Sequence, residues 1–170
     1  YKAMELNDKE VLEAYNEQFA KDDENQLINV NKLFQNSFLY IKFPDNSHTD
    51  VNIHVWGNNS DLVHKTVIVS GINCDVTVLE EINIINGLQV NYISETVVNE
   101  NSRIHYIGID EFPDNINVFT HRLGKVYNNG ALVYALGLLT TGNTVVNNIV
   151  ELLGVNSYAE SRWVIFTDKN

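Results

Sequence analysis

The chain has 170 residues, a net charge of −11 and a sequence pI near 4.7, which excludes a nucleic-acid binder, since that needs a basic footprint. With 44% hydrophobic and 10% aromatic residues it is globular rather than disordered, and its length suits one domain, or a domain with an appendage, burying about 70% of its unfolded surface. No apolar run approaches the ~18 residues of a membrane helix and the polar start has no signal-peptide core; the single cysteine, Cys74, excludes an internal disulfide framework and fits a reducing cytoplasm.

Residues 1–36 read as an N-terminal helical segment. Asn7 is placed as a helix N-cap with Glu10 completing a capping box, and Leu6 and Val11 form the accompanying hydrophobic staple. Val11, Leu12, Tyr15 and Phe19 continue as an apolar stripe, which the acidic run Asp22-Asp23-Glu24 ends. Such a stripe needs a surface to lie on, and a lid over the first coil of the downstream strands is the expectation. A mixed segment, Leu27 to Asn36, leads into a first strand at Phe38 to Phe43.

From there two ladders of turn residues recur. The first is Asn46-Ser47, Asn73-Cys74, Asn101-Ser102, Asn129-Gly130 and Asn156-Ser157, spaced 27, 28, 28 and 27 apart. Between them lie Asn58-Asn59, Asn86-Gly87, Asp114-Asn115 and Gly142-Asn143, each 28 apart. Asn, Asp and Gly mark turns because they tolerate left-handed backbone or bond back to their own main chain. Asparagine is abundant, 25 of 170 residues, so the columns beside the ladders must carry the argument. Three places after the first-ladder Asn stand Thr49, Val76, Ile104, Leu132 and Ala159; one place further stand Asp50, Thr77, His105, Val133 and Glu160. Apolar and polar columns alternate with period two, as strands with one buried face require.

Two bends per lap of about 28 residues describe a β-solenoid over residues 37–170. One sheet is expected from Val51 to Val55, Asp75 to Ile82, Arg103 to Ile109, Ala131 to Leu138 and Tyr158 to Phe166. The other takes Leu62 to Val69, Leu88 to Val98, Ile116 to Val126 and Thr144 to Leu153. Strands this long fit a flattened coil of two facing parallel sheets, rising about 4.8 Å per lap. The apolar end at Trp163 to Phe166 has no capping sequence after it, so the coil is read as the front of a longer solenoid or as covered by another chain.

Residues with chemical potential are few. Cys74 belongs to the small column Ser47, Cys74, Ser102, Gly130 and Ser157, and reads as a serine substitute rather than a nucleophile. His48, His54, His64, His105 and His121 form no ligand-spaced pair and are expected to be solvent-facing or satisfied. Asp110, Glu111 and Asp114 around Pro113 read as an acidic turn rather than a hard-cation site. Glu80 and Glu81 are adjacent in a strand, so they point to opposite faces and make no acid–base pair. The residues alone thus offer a scaffold with no catalytic residue, no metal ligand and no assignable cofactor site.

Several segments in order resemble the SufB/SufD family, the scaffold proteins of the SUF iron–sulfur cluster assembly system. They are Phe38 to Val55, Asn73 to Glu81, Val90 to Val98, Ser102 to Tyr106, then Leu136-Gly137, Asn147-Asn148, Leu153-Gly154 and Asn156 to Ala159. The missing extra cysteines are those of the other paralogue, which makes the resemblance SufD-like. The resemblance implies a right-handed parallel β-helix and a non-catalytic role in complex with a SufC-type ATPase and a SufB-type paralogue. It also implies a homo- or heterodimer through the β-helix end, and an iron–sulfur cluster handled by the full complex, not bound by these residues. The family's functional residues lie toward the C-terminus beyond Asn170, so none is carried over. Two other readings share the coil: a carbohydrate-active enzyme, which needs clustered carboxylates with Lys or Arg on one exposed face, and a surface adhesin.

Overall fold

A computed structural model describes residues 9, 11–12, 26–58, 61–114 and 116–167. After a helix, α1 (Gln26–Phe34), come ten strands: β1 (Ser37–Lys42), β2 (His48–Asn58), β3 (Leu62–Val69), β4 (Asp75–Asn86) and β5 (Gln89–Val98), then β6 (Arg103–Phe112), β7 (Asn117–Val126), β8 (Ala131–Thr140), β9 (Asn143–Leu152) and β10 (Tyr158–Phe166). They alternate between two five-stranded sheets, β1-β3-β5-β7-β9 and β2-β4-β6-β8-β10. Every pairing is parallel. The chain is therefore a β-solenoid with two strands per lap, as its turn spacing requires.

The first turn ladder is a column of left-handed residues. Asn46, Asn73, Asn101, Asn129 and Asn156 have φ of 62°, 56°, 55°, 51° and 56°, the region that asparagine tolerates better than other side-chain-bearing residues. Their amides also stack: Asn129 Nδ2 donates to Asn101 Oδ1 at 3.0 Å and Asn156 Nδ2 to Asn129 Oδ1 at 3.1 Å. The second ladder bends without left-handed residues among those described; Asn59 and Asn115 lie outside the described residues.

In the second sheet one face is buried and the other open, and β6 alternates accordingly from Arg103 to Phe112. The first sheet is buried on both faces in β3, β5 and β7. Its inner face meets the second sheet in one core that includes Ile68, Val78, Tyr92, Ile104 and Leu132. Its outer face carries α1, where Ile28 packs with Ile93 and Phe119. The mixed segment from Leu27 is thus helical. Its apolar stripe is hidden in the sequence because a buried position is held by Asn31, whose Nδ2 donates to His64 O at 3.0 Å and to Asn91 Oδ1 at 3.0 Å. Asn91 Nδ2 returns a bond to Leu27 O at 2.7 Å. The helix lies on the flank of the coil. Of the N-terminal segment, Lys9 and the stripe residues Val11 and Leu12 are helical and Val11 is buried; Leu6, Asn7, Glu10, Tyr15, Phe19 and the acidic run lie outside the described residues.

Candidate functional site

Polar side chains with unusual electrostatics lie inside the bore, between the sheets. In the first sheet, Thr66, Ser94, Arg122 and Asn148 are successive register partners on β3, β5, β7 and β9, one inward position per lap. His64 and Tyr92 are partners in the neighbouring column, stacked at 5.5 Å with planes 6° apart. Opposite them the second sheet contributes Glu80 from β4 and Tyr106 and Asp110 from β6. Glu80 and Asp110 interrupt inward rows held largely by Val, Ile and Leu, and Tyr106 is the register partner of Tyr134.

Arg122, fully buried, spans the bore and donates from Nη2 to Asp110 Oδ1 at 2.7 Å. Its guanidinium carbon lies 5.6 Å from the Tyr92 ring centre and 5.9 Å from that of Tyr106, a placement in which ring quadrupoles favour the cation. Space for it comes from Gly108, where a Cβ would stand 3.2 Å from Arg122 Nη2 and 2.8 Å from Leu136 Cδ2. Tyr106 donates a short hydrogen bond to Glu80 Oε2, and Thr66 Oγ1 donates to Glu80 Oε1 at 3.3 Å. His64 closes the chain of contacts, with Nε2 2.9 Å from Thr66 Oγ1 and Nδ1 2.7 Å from Ser37 Oγ.

Burial governs the titration of this cluster. It raises the pKa of Glu80, against the opposing pull of Arg122. Burial, then the nearby Glu80, hold Tyr92 and Tyr106 well above the ordinary tyrosine value. Burial pushes Tyr134 up to about 12 and His64 down to about 4. At neutral pH the tyrosines are therefore donors and His64 is neutral. The arrangement clamps one sheet to the other through charge-assisted bonds in a low-dielectric interior.

The residues singled out in the sequence fall elsewhere or separate. Cys74 is buried, its Sγ donating to Pro44 O at 3.2 Å, the carbonyl that Ser47 Oγ also reaches at 2.6 Å. The position thus does what serine does one lap below. Asp110, Glu111 and Asp114 do not form an acidic turn: Asp110 points into the bore, Glu111 is exposed, and Asp114 accepts a short bond from Thr141. Glu80 and Glu81 do face opposite ways, with Glu81 Oε2 2.7 Å from His54 Nδ1 outside. His48 is exposed, His105 is half-buried on the outer side, and His121 is buried outside the first sheet, stacked 5.8 Å from Phe119. Among the described residues no three His, Cys, Asp or Glu side chains are grouped to hold a metal ion. None of the described helices is long and apolar enough to cross a membrane. Sequence reasoning missed the bore cluster, although its trace is legible: a glutamate interrupts the inward run Val76, Val78, Glu80, Ile82, Ile84.

Comparison with known proteins gives these features a setting. The chain is 25% identical over 155 residues to the iron–sulfur cluster assembly protein SufD of Bacillus subtilis (strain 168), covering 86% of this chain and 35% of that protein. It thus spans about a third of the relative's length. No solved structure matches the chain. The family described as SUF system FeS cluster assembly, SufBD core domain, matches residues 53–170, from β2 to the last residue. With its parallel coil and this match over most of its length, the chain belongs to the SufB/SufD family and is SufD-like.

Proposed function

We propose that this chain is a non-catalytic scaffold in iron–sulfur cluster assembly, working in the cytoplasm with an ABC-type ATPase and a paralogous β-helix subunit. The single observation that carries the reading is the family match across residues 53–170. Its physical support is that the ionisable bore residues Glu80, Asp110 and Arg122 are sealed between the sheets, so they brace the coil rather than meet a substrate. Clusters, in this reading, are cargo of the whole assembly and not resident among these residues. The test is affinity purification of the full-length protein under gentle conditions, followed by mass spectrometry. Recovery with an ABC-type ATPase and a second β-helix subunit is expected; clean isolation alone contradicts the scaffold reading.

A further inference from the structure

The dipeptide Asn-Gly occurs twice in the chain, at Asn86-Gly87 and Asn129-Gly130, and the coil gives the two copies unlike surroundings. Asparagine before glycine is the pairing most open to attack by the main chain on its own side chain, because no Cβ on the glycine hinders the approach of its nitrogen. That nitrogen bonds to the asparagine Cγ and displaces ammonia, closing a five-membered imide. Water then opens the imide at either carbonyl, leaving aspartate or isoaspartate. The net change is an amide plus water to a carboxylate plus ammonium, with nothing oxidised or reduced. Ring closure asks two things of the fold: the carboxamide must turn back onto the main chain, and the next N–H must be unbonded and open to base.

Asn129-Gly130 supplies neither. Asn129 stands in the left-handed turn column at φ 51°. Its Nδ2 donates to Asn101 Oδ1 at 3.0 Å and its Oδ1 accepts from Asn156 Nδ2 at 3.1 Å, so the carboxamide is held along the coil from both sides. Gly130 is buried; its N donates to Tyr127 O at 3.0 Å and its O accepts from Tyr158 N at 2.9 Å. The two amide bonds and the bond to Tyr127 must all break before the ring can close.

Asn86-Gly87 lies on the second turn ladder, where β4 ends. Asn86 is exposed, Gly87 is half-buried, and Asn86 is not among the left-handed residues. The pairing of β4 with β2 is irregular at this end: Gly57 partners Ile84 and Asn58 partners Asn86, so the ladder skips Ile85. Such an irregularity locally disrupts a strand ladder. Among the described residues none accepts from the Gly87 nitrogen. The next two nitrogens, of Leu88 and Gln89, both donate to Asp61 Oδ1, at 3.3 and 3.1 Å.

We propose that Asn86 is a site of spontaneous deamidation in the folded chain, and that the amide ladder holds the chemically equivalent Asn129 unreactive. The product adds a carboxylate to the turn column that already carries Asp114, 28 residues on, so ageing makes this edge of the coil irreversibly more acidic.

The test is to hold the 170-residue chain in warm, mildly alkaline buffer, with and without unfolding urea, and to follow both sites by mass spectrometry of proteolytic peptides. In urea the two sites are expected to convert within ~3-fold of each other, as one dipeptide released from its fold. In the folded chain Asn86 is expected to convert at least ~30-fold faster than Asn129, whose reaction waits on local opening of the ladder. Asn101→Gly combined with Asn156→Gly removes both partners of the Asn129 carboxamide and keeps residues that accept positive φ. Asn129 is then expected to speed up at least ~3-fold, with Asn86 unchanged. The proposal is overturned if Asn129 keeps pace with Asn86 in the folded chain, or if Asn86 stays intact there while converting in urea. A double glycine variant that leaves Asn129 as slow as before overturns it too.

Discussion

Replacing Arg122 by Met tests whether the bore cluster holds the sheets together. The side chain is fully buried and its Nη2 bonds Asp110 at 2.7 Å, while Glu80, also fully buried, lies within its electrostatic reach. Methionine fills much of the volume but leaves the Asp110 carboxylate without its cation. Removing one member of a buried ion pair typically costs about 3–5 kcal/mol. Loss of the guanidinium beside Tyr92 and Tyr106 adds about 1 kcal/mol. Against a stability of about 5–15 kcal/mol for a domain, that is a large fraction.

Urea denaturation of the Arg122→Met, Asp110→Leu and double variants provides the assay. Each single variant is expected to lose about 3–5 kcal/mol, and the double variant much less than their sum, because replacing both partners leaves no orphaned charge. The reasoning fails if Arg122→Met costs under ~1 kcal/mol, or if the two losses simply add.

Further expectations rest on individual residues. His64, held at about 4 in the folded chain against 6.5 ordinarily, binds a proton more weakly folded than unfolded; its contribution is complete above pH 6.5 and shrinks by about 3 kcal/mol as pH falls to 4. Glu80 has the opposite sign: its raised value keeps the proton on in the folded chain, so stability falls as pH rises from the ordinary glutamate range through the raised value. Denaturation against pH should therefore show only the falling limb in His64→Gln and only the rising limb in Glu80→Gln. Asn101→Ala, at φ 55°, should cost about 1–2 kcal/mol, and Asn101→Gly a few tenths, compared by urea midpoint. Gly124→Ala should cost about 1–3 kcal/mol, since its Cβ would stand 2.5 Å from Leu132 Cδ2 and 3.2 Å from Val150. Gly137→Ala, facing open space, should shift the thermal midpoint little.

The coil was legible because its turns must repeat. Only a residue that accepts positive φ suits each first-ladder bend, so the asparagines had to recur at the lap interval. Strand limits came with them, and Leu62–Val69 and Tyr158–Phe166 lie where the period placed them. The helix α1 was less visible because Asn31, buried for its hydrogen bonds to β3 and β5, breaks the apolar stripe. The bore cluster was hidden for another reason. Asp110 and Arg122 are twelve positions apart on strands of different sheets, and no local pattern says that they meet. Adjacent Glu111 and Asp114 made Asp110 look like part of a polar turn, although strand parity in β6 points it inward with Tyr106 and Phe112.

A solenoid of near-equal laps faces a problem of identity. Most inward positions are Val, Ile or Leu, and a lap could pair with the wrong neighbour or slip along it at modest cost in buried apolar area. The charged bore residues are not interchangeable in this way. Among the described residues only β7 carries an inward arginine, only β6 an inward aspartate beside a glycine that admits the guanidinium, and only β4 an inward glutamate. A shift by one lap would bury Arg122 against an apolar wall, and a shift by one residue would turn it out of the bore. Each wrong arrangement leaves a buried charge unpaired, at several kcal/mol, whereas the right one pairs Arg122 with Asp110 and gives Glu80 the hydroxyls of Tyr106 and Thr66. The cluster thus contributes discrimination between registers beyond any net gain in stability. The Arg122→Met/Asp110→Leu chain separates the two contributions, because it keeps the apolar columns and removes the mark that tells one lap from the next.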